Sequence, residues 1–423
     1  MENFIINLKN KTIDFQAIAI TSGNINSLIK EKLLSNPDVL SSLNTFAYSY
    51  VLYGSQYRLR FNVTYKQDKS NLTVIVKDDF ELLTAITMIL KSHKEFVRII
   101  VDNEKQFTSK NALIQHIHDL EHLTGVEFEL SQRSMTSSLL HSFLNEKLLV
   151  CELNYKYFDD ANIVNRLSFV VAEHAFTTHY LNDNIEVIDY LLKWFRNNIK
   201  YRNNDKQSDH SAVGLIKNGT AVCQGIAVYA YLFLNAKGIK TRYVCGTGDG
   251  MGGWGCHAWN LIFVNGRWEH IDYTFELNSY KESALKPLSQ FRADHKWDEE
   301  LYSTDYSNRI KKVYETMSSP IVTILPNKMV FSVNGCVVYV PSISTIAPVY
   351  KNKIFISITD LAPIFNSCYS IKGNYIEIYL HNQKHKYPTN NSLNILGKCF
   401  IPIDAFKQFG IEVSVNENTI SLR

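Results

Sequence analysis

Asn265-Gly266 lies between two apolar runs, Trp259-Asn260-Leu261-Ile262-Phe263-Val264 and Trp268-Glu269-His270-Ile271. An Asn-Gly pair flanked in this way signals a two-residue type I′ hairpin, because both turn positions need a positive φ. If Val264 pairs with Arg267, Trp259 stands opposite Asp272 and His257 opposite Thr274. His257 and Asp272 then share one face as diagonal neighbours, about 7–8 Å apart at the backbone and within reach of their side chains. A three-residue loop would shift the register by one and part them. The same alternation sends Cys256 to the other face, away from His257.

A third chemical group precedes this hairpin. Cys223 stands in Asn218-Gly219-Thr220-Ala221-Val222-Cys223-Gln224-Gly225, and the apolar, helix-like run Ile226 to Leu234 follows. A cysteine at a helix start meets unpaired backbone N–H groups and the positive end of the helix dipole, both of which favour a thiolate. A histidine can take the thiol proton, and a carboxylate can fix the tautomer of that histidine. On its own, a cysteine on an apolar helix reads as core. The ordered partners turn the reading toward catalysis.

These pieces resemble the bacterial transglutaminase-like superfamily, a papain-related fold with a Cys-His-Asp triad. The matching segments are the Cys223 stretch, His257-Ala258-Trp259-Asn260 and Gly266-Arg267-Trp268-Glu269-His270-Ile271-Asp272-Tyr273-Thr274, with Lys237-Gly238-Ile239-Lys240-Thr241-Arg242-Tyr243-Val244 between the first two. The resemblance covers roughly residues 165 to 310. It implies cysteine-dependent acyl transfer on protein or peptide amides without a cofactor or metal. Cys223 would be the nucleophile, His257 the general base and acid, and Asp272 the orienting carboxylate. Relatives often carry Trp-Asp after the Asp-x-Thr, where this chain has Phe275-Glu276, a departure that bears on the local substrate cleft. The alternative is a non-catalytic scaffold of the same fold that binds peptides or proteins. A zinc site of Cys223, Cys245, Cys256 and His257 is disfavoured, since no Cys-x-x-Cys pair is present.

The chain of 423 residues is too long for one ordinary core. The expected class is α+β, with an N-terminal α/β region (1–164), a central catalytic domain (165–315) and a C-terminal α+β repeat domain (316–423). In the first region Asn26 to Leu43 reads as a helix interrupted near Pro37, Tyr57 to Tyr65 as a strand and Phe80 to Lys91 as a helix. A strand from Phe96 to Val101, a helix from Asn111 to Leu123, strands at 126–130 and 149–157, and a helix from Ser137 to Leu148 complete it. His118-Asp119-Leu120-Glu121-His122 matches a zinc pattern, but a solvated polar helix face is the better reading. Thr247 to Gly255, with five glycines, reads as a flexible flap. In the last region Lys353 to Leu361 is echoed by Lys398 to Phe406, each followed by a strand (Tyr375 to Leu380 and Thr419 to Leu422). This repeat resembles the stalk-like domain named after the N-terminus of copper amine oxidases, and implies a binding or spacer unit that closes its own core.

A formal net charge of +3 calls for neither nucleic acid nor an acidic membrane surface. Seven widely spaced cysteines do not suggest a disulfide framework. No apolar run reaches the ~18 residues of a membrane-spanning helix. Residues 1–9 show no secretory pattern, so the expectation is a cytoplasmic protein; a leader removed ahead of residue 1 would make it secreted or surface-bound. The expected partner is a protein or peptide substrate, with cell-envelope material a further candidate.

Overall fold

The computed structural model describes residues 1–65, 72–91, 94–102, 110–124, 130–139, 148–157, 161–202, 207–250, 252–277, 285–303, 308, 312–313, 315, 320–325, 330–339, 347–365, 367–395 and 397–423. Among the described residues, helices mix with runs of consecutive strands in an α+β arrangement. Near the N-terminus, β1 (Asp14–Ile20), β2 (Leu43–Tyr53) and β3 (Gln56–Tyr65) form an antiparallel sheet in the order β1-β3-β2. Its period-two pattern turns Phe15, Ala17, Leu59, Phe61 and Val63 inward. The helical stretch expected before β2 splits into Ile25–Leu34 and Pro37–Ser42, with Pro37 opening the second helix where its missing N–H costs no intrahelical bond.

The chain continues through β4 (Leu72–Val76), the helix Asp79–Lys91, β5 (Phe96–Asp102), the helix Lys110–Thr124, β6 (Leu130–Leu139) and β7 (Leu148–Tyr157). β4 and β5 are parallel, and all five residues of β4 are buried. Two expectations change here. Ser137 to Leu139 are not helical but pair with Leu149 to Cys151 in the β6–β7 ladder, so cross-strand pairing overrides the local pattern. The rest of that expected helix (140–147), and residues 126–129 of the expected strand, lie outside the described residues. Nor is the whole His118 to His122 segment a solvated face. Glu121 is fully buried and accepts the Tyr155 hydroxyl.

In the central region the helices Ala161–Thr177 and Asn184–Asn198 lead to β8 (Lys200–Tyr201), the helix Ala212–Asn218, β9 (Thr220–Ala221) and the helix Cys223–Ala236. Asp183 caps Asn184–Asn198 by accepting the Ile185 and Glu186 N–H groups at 2.8 and 3.1 Å. Its buried stripe of Val187, Ile188, Leu191, Leu192 and Phe195 follows the helical period and shares a core with Cys223–Ala236. β10 (Thr241–Gly250), β11 (Gly253–Val264), β12 (Arg267–Ile271) and β13 (His295–Trp297) form the sheet β12-β11-β10-β13. The expected flap at Thr247 to Gly255 is instead the far end of the β10–β11 hairpin, paired out to Gly250 and Gly253.

The C-terminal region does not close on itself. β14 (Val322–Leu325), β15 (Val330–Val333) and β16 (Cys336–Tyr339) extend the N-terminal sheet, because β16 pairs antiparallel with β4 through Val337–Ile75, Val338–Val74 and Tyr339–Thr73. With Val413–Asn416 and Thr419–Leu422 on the far side of β14, the sheet has nine strands. The internal repeat is real at the level of its elements. Lys353–Ser357 and Lys398–Pro402 pair with each other and run into the short helices Ile358–Leu361 and Ile403–Gln408. The strands that follow diverge: Tyr375–Leu380 lies in a separate three-stranded sheet, and Thr419–Leu422 in the nine-stranded one. Among the described residues no helix is long and apolar enough to cross a membrane.

Candidate active site

Cys223 is the first residue of its helix. The preceding Val222 is extended and offers no side-chain cap to the helix start. The approach to this turn is narrow. A Cβ on Gly225 would meet the Asp209 and Ser211 carbonyl oxygens at 2.8 and 3.0 Å, and the Val222 N–H donates to the Asp209 carbonyl at 3.0 Å. Gly219, in the left-handed region, ends the helix Ala212–Asn218 and turns the chain into β9.

The hairpin has the expected register. Val264 pairs with Arg267, Asn260 with Ile271, and both Asn265 and Gly266 have positive φ. His257 Nε2 and Asp272 Oδ2 are 2.7 Å apart, and the Cys223 thiol lies beside the same imidazole. Asn260 ties β11 to the nucleophile helix by donating to the Ala227 carbonyl at 2.9 Å. The structure thus brings Cys223, His257 and Asp272 together. It does not bring in the other two thiols of the disfavoured zinc alternative: Cys256 is exposed, and Cys245 hydrogen-bonds the Tyr243 hydroxyl.

Asp272 is almost wholly buried and accepts four hydrogen bonds. Oδ1 takes the N–H groups of Thr274 at 2.8 Å and Phe275 at 3.2 Å, capping the helix Tyr273–Leu277; Oδ2 faces His257 and, at 3.0 Å, His295 Nε2. Burial opposes its charge, yet the His257 and His295 hydrogen bonds outweigh burial and hold the carboxyl well below its usual range. Burial likewise opposes a charged His257, but the bond to Asp272 and the neighbouring Cys223 prevail and push its pKa up to about 10. The base therefore rests as imidazolium near neutral pH, the partner a thiolate needs.

The Phe275-Glu276 departure has a structural role. The Phe275 ring packs 4.7 Å from both His257 and His295, and buried Glu276 binds Lys286 Nζ at 2.9 Å. Arg196 donates to the Glu276 carbonyl at 2.8 Å, which anchors this turn to the helix Asn184–Asn198.

Sequence reasoning missed two neighbours. Tyr201 follows the helix Asn184–Asn198, and its phenol lies near the Cys223 backbone N–H. Burial first, then the nearby Cys223 and Asp272, raise its pKa. Asn218, before the Gly219 turn, is an exposed helix end. The second neighbour is His295, for which no motif gives a cue, since only the β10–β13 pairing of Gly248 with His295 carries it to the site. His257, Asp272 and His295 have nitrogen and oxygen atoms within 4.8 Å of one another, the spacing of a metal site. The hydrogen bonds among them account for this closeness, and we assign no metal there.

Residues 174–273 match the transglutaminase-like superfamily. That segment is transglutaminase-like. The match includes Cys223, His257 and Asp272 and ends before the C-terminal repeat. No curated protein is significantly similar to the chain. Solved structures with local likeness include a candidate cysteine protease from Cytophaga hutchinsonii, with 16% identity and a TM-score of 0.23 over 34% of this chain. The periplasmic domain of TgpA from Pseudomonas aeruginosa shows 16% identity and a TM-score of 0.22 over 35% of this chain. The chain spans 65% and 66% of the lengths of these two proteins. A protein described as a TGase gives 12% identity and a TM-score of 0.25, over 69% of this chain and 85% of its own. Likenesses this weak carry no mechanistic argument.

Proposed function

We propose that the chain is a cysteine-dependent acyl-transfer enzyme acting on protein or peptide amides. The observation that carries this reading is the junction of Cys223, first in its helix, with a His257 imidazole held 2.7 Å from Asp272. The Cys223 thiolate attacks the amide carbonyl carbon and forms a tetrahedral oxyanion. The Cys223 N–H and the neighbouring Tyr201 hydroxyl donate to this oxygen. His257 passes its proton to the leaving amine, the C–N bond breaks, and a thioester remains. Neutral His257 then deprotonates water, which attacks the thioester, releases the acid and returns the proton and the thiolate. Asp272 stays ionised throughout. Tyr201 beside the nucleophile is 43% exposed, so water reaches the thioester, and hydrolysis rather than amine cross-linking is the proposed outcome.

Iodoacetamide labelling with mass-spectrometric mapping tests the nucleophile. Burial pushes the thiols of Cys151 and Cys368 up to about 12 and that of Cys399 up to about 11. These should stay silent near neutral pH while Cys223 labels rapidly, and Cys223→Ser should lose amide turnover with the fold intact. Faster labelling of exposed Cys256 than of Cys223, with turnover surviving in Cys223→Ser, would remove the proposal.

A further inference from the structure

His295 is fully buried, opens β13, and meets the same Asp272 oxygen as His257. Both of its ring nitrogens face carboxylate oxygens: Nε2 is 3.0 Å from Asp272 Oδ2 and Nδ1 is 2.5 Å from Asp294 Oδ1. An ionised carboxylate only accepts, so the ring must donate from both nitrogens to satisfy both contacts. An imidazole that donates twice is an imidazolium. Packing fixes the ring in this pose, with the Phe291 ring stacked 3.9 Å away and the Trp259 and Phe275 rings at 4.9 and 4.7 Å. Asp294 is one-third exposed and lies 3.6 Å from Lys286 Nζ, which also holds Glu276. A chain of alternating charge thus runs from the nucleophile to the surface: Cys223, His257, Asp272, His295, Asp294, Lys286.

We propose that His295, held as an imidazolium by Asp294, is a positioning residue that shares the Asp272 carboxylate with His257 and limits how tightly His257 keeps its proton. The physical need follows from the site. A buried carboxylate serving His257 alone would bind the imidazolium proton strongly, and a ring that keeps its proton is a poor general acid toward the leaving amine. A second positive charge with its ring centre 5.5 Å from that of His257 offsets part of that attraction. It also occupies the second lone-pair region of Oδ2, which keeps the carboxylate from rotating.

The charged and titratable groups facing this pair are identifiable. His257 meets Cys223 from the nucleophile helix, Asp272 from the turn after β12, and His295 from β13. Tyr201 of β8 lies near both Cys223 and Asp272. His295 meets Asp272, Asp294 and His270 of β12. Burial first, then Arg242, drives the His270 pKa down to about 3, so His270 adds no charge near neutral pH. Lys286 reaches the network through Asp294 and through its charge on Asp272.

The inference rests on the Cys223–His257–Asp272 reading, so the test needs a readout independent of turnover. Two variants separate charge from packing: His295→Gln keeps a donor without the charge, and His295→Phe keeps the aromatic stack without a donor. Histidine-selective 15N NMR of the resting protein, with His257 assigned by the resonance lost in His257→Asn, follows the His257 titration directly. Removing a positive charge must raise it, so both variants should move the midpoint up by about one pH unit. The alkaline limb of kcat/KM should move in the same direction. An unchanged or lowered His257 midpoint in the two folded variants overturns the inference, because a purely structural His295 would leave the midpoint in place or loosen the His257–Asp272 bond. Failure of Cys223 to label selectively would sink the acyl-transfer reading instead, and the NMR titration would still decide the role of His295.

Discussion

Gly248 makes the sharpest mutational test of how the general base is held. It pairs with His295 across β10–β13 and with Gly255 across β10–β11. A Cβ placed on it would stand 2.9 Å from His257 Cδ2, 3.1 Å from His257 Cγ and 3.1 Å from Phe275 Cζ. Carbon atoms in contact prefer about 3.5–4.0 Å, so one methyl group requires the His257 ring to retreat by roughly 0.5–1 Å. The ring cannot slide freely, since Asp272 holds its Nε2 and the Phe275 ring packs 4.7 Å from it. Overpacking of this kind costs about 1–3 kcal/mol in stability. Misplacing a catalytic group by about 1 Å costs on the order of 10² in rate. Gly248→Ala should therefore lose about 10²-fold in kcat/KM on an amide substrate while still melting cooperatively. Two neighbours calibrate the result. Around Gly255 nothing lies within 4 Å of a built Cβ, so Gly255→Ala should be neutral; on Gly246 the Cβ would stand 2.1 Å from the Lys296 carbonyl oxygen, and Gly246→Ala should break the β10–β13 pairing and destabilise the fold most. Native kinetics in Gly248→Ala, or equal damage from Gly255→Ala, would show that the His257 ring is not wedged in this way.

Four further outcomes follow from the geometry. Asp272→Asn sets an amide NH2 against either two imidazole N–H groups or two backbone N–H groups; it should cost about 2–4 kcal/mol in urea unfolding and on the order of 10–10³ in turnover, and native values for both would remove Asp272 from the site. Tyr201→Phe should lower kcat on the order of 10² with little change in KM, and an unaltered kcat would free Tyr201 of any oxyanion role. Removing residue 320 onward uncovers the β16-facing edge of buried β4, so sedimentation should show aggregation; a monomeric, cooperatively melting fragment would contradict the shared sheet. Burial drives the pKa values of His174 and His270 down to about 4 and about 3. Below about pH 6.5 the unfolded chain therefore takes up protons that the native chain refuses, and stability should fall on acidification, with a shallower slope in His174→Phe. The His257 contribution has the opposite sense, complete below about pH 6.5 and lost as pH rises through about 10.

The parts of the site readable from sequence are those set by local rules. Asn265-Gly266 can adopt the turn with both φ positive, so the pairing of Val264 with Arg267 and the approach of His257 to Asp272 follow from counting. Cys223 was legible as a helix start because a Gly-containing turn precedes an apolar run. What stayed hidden depends on distant pairing. His295 reaches Asp272 only because β13 adds to β10, and Tyr201 reaches Cys223 through the two-residue parallel pairing of β8 with β9. The glycines from Thr247 to Gly255 suggested mobility, yet Gly248 is small because the His257 ring occupies the space beside it. The Lys353 and Lys398 repeats predicted their own elements correctly. Their number gave no warning that β16 would leave that unit for β4.

That last pairing sets an order of events during folding. The Cys336 thiol lies 3.9 Å from the Ile75 carbonyl, a contact that spans 261 positions of sequence. Until β16 emerges and docks, β4 keeps an apolar edge with unpaired backbone groups, although the transglutaminase-like segment has already been synthesised. Closing so long a loop before it is rewarded is slow. The β4 edge is therefore where a chaperone, or a second unfinished chain, would bind first during synthesis.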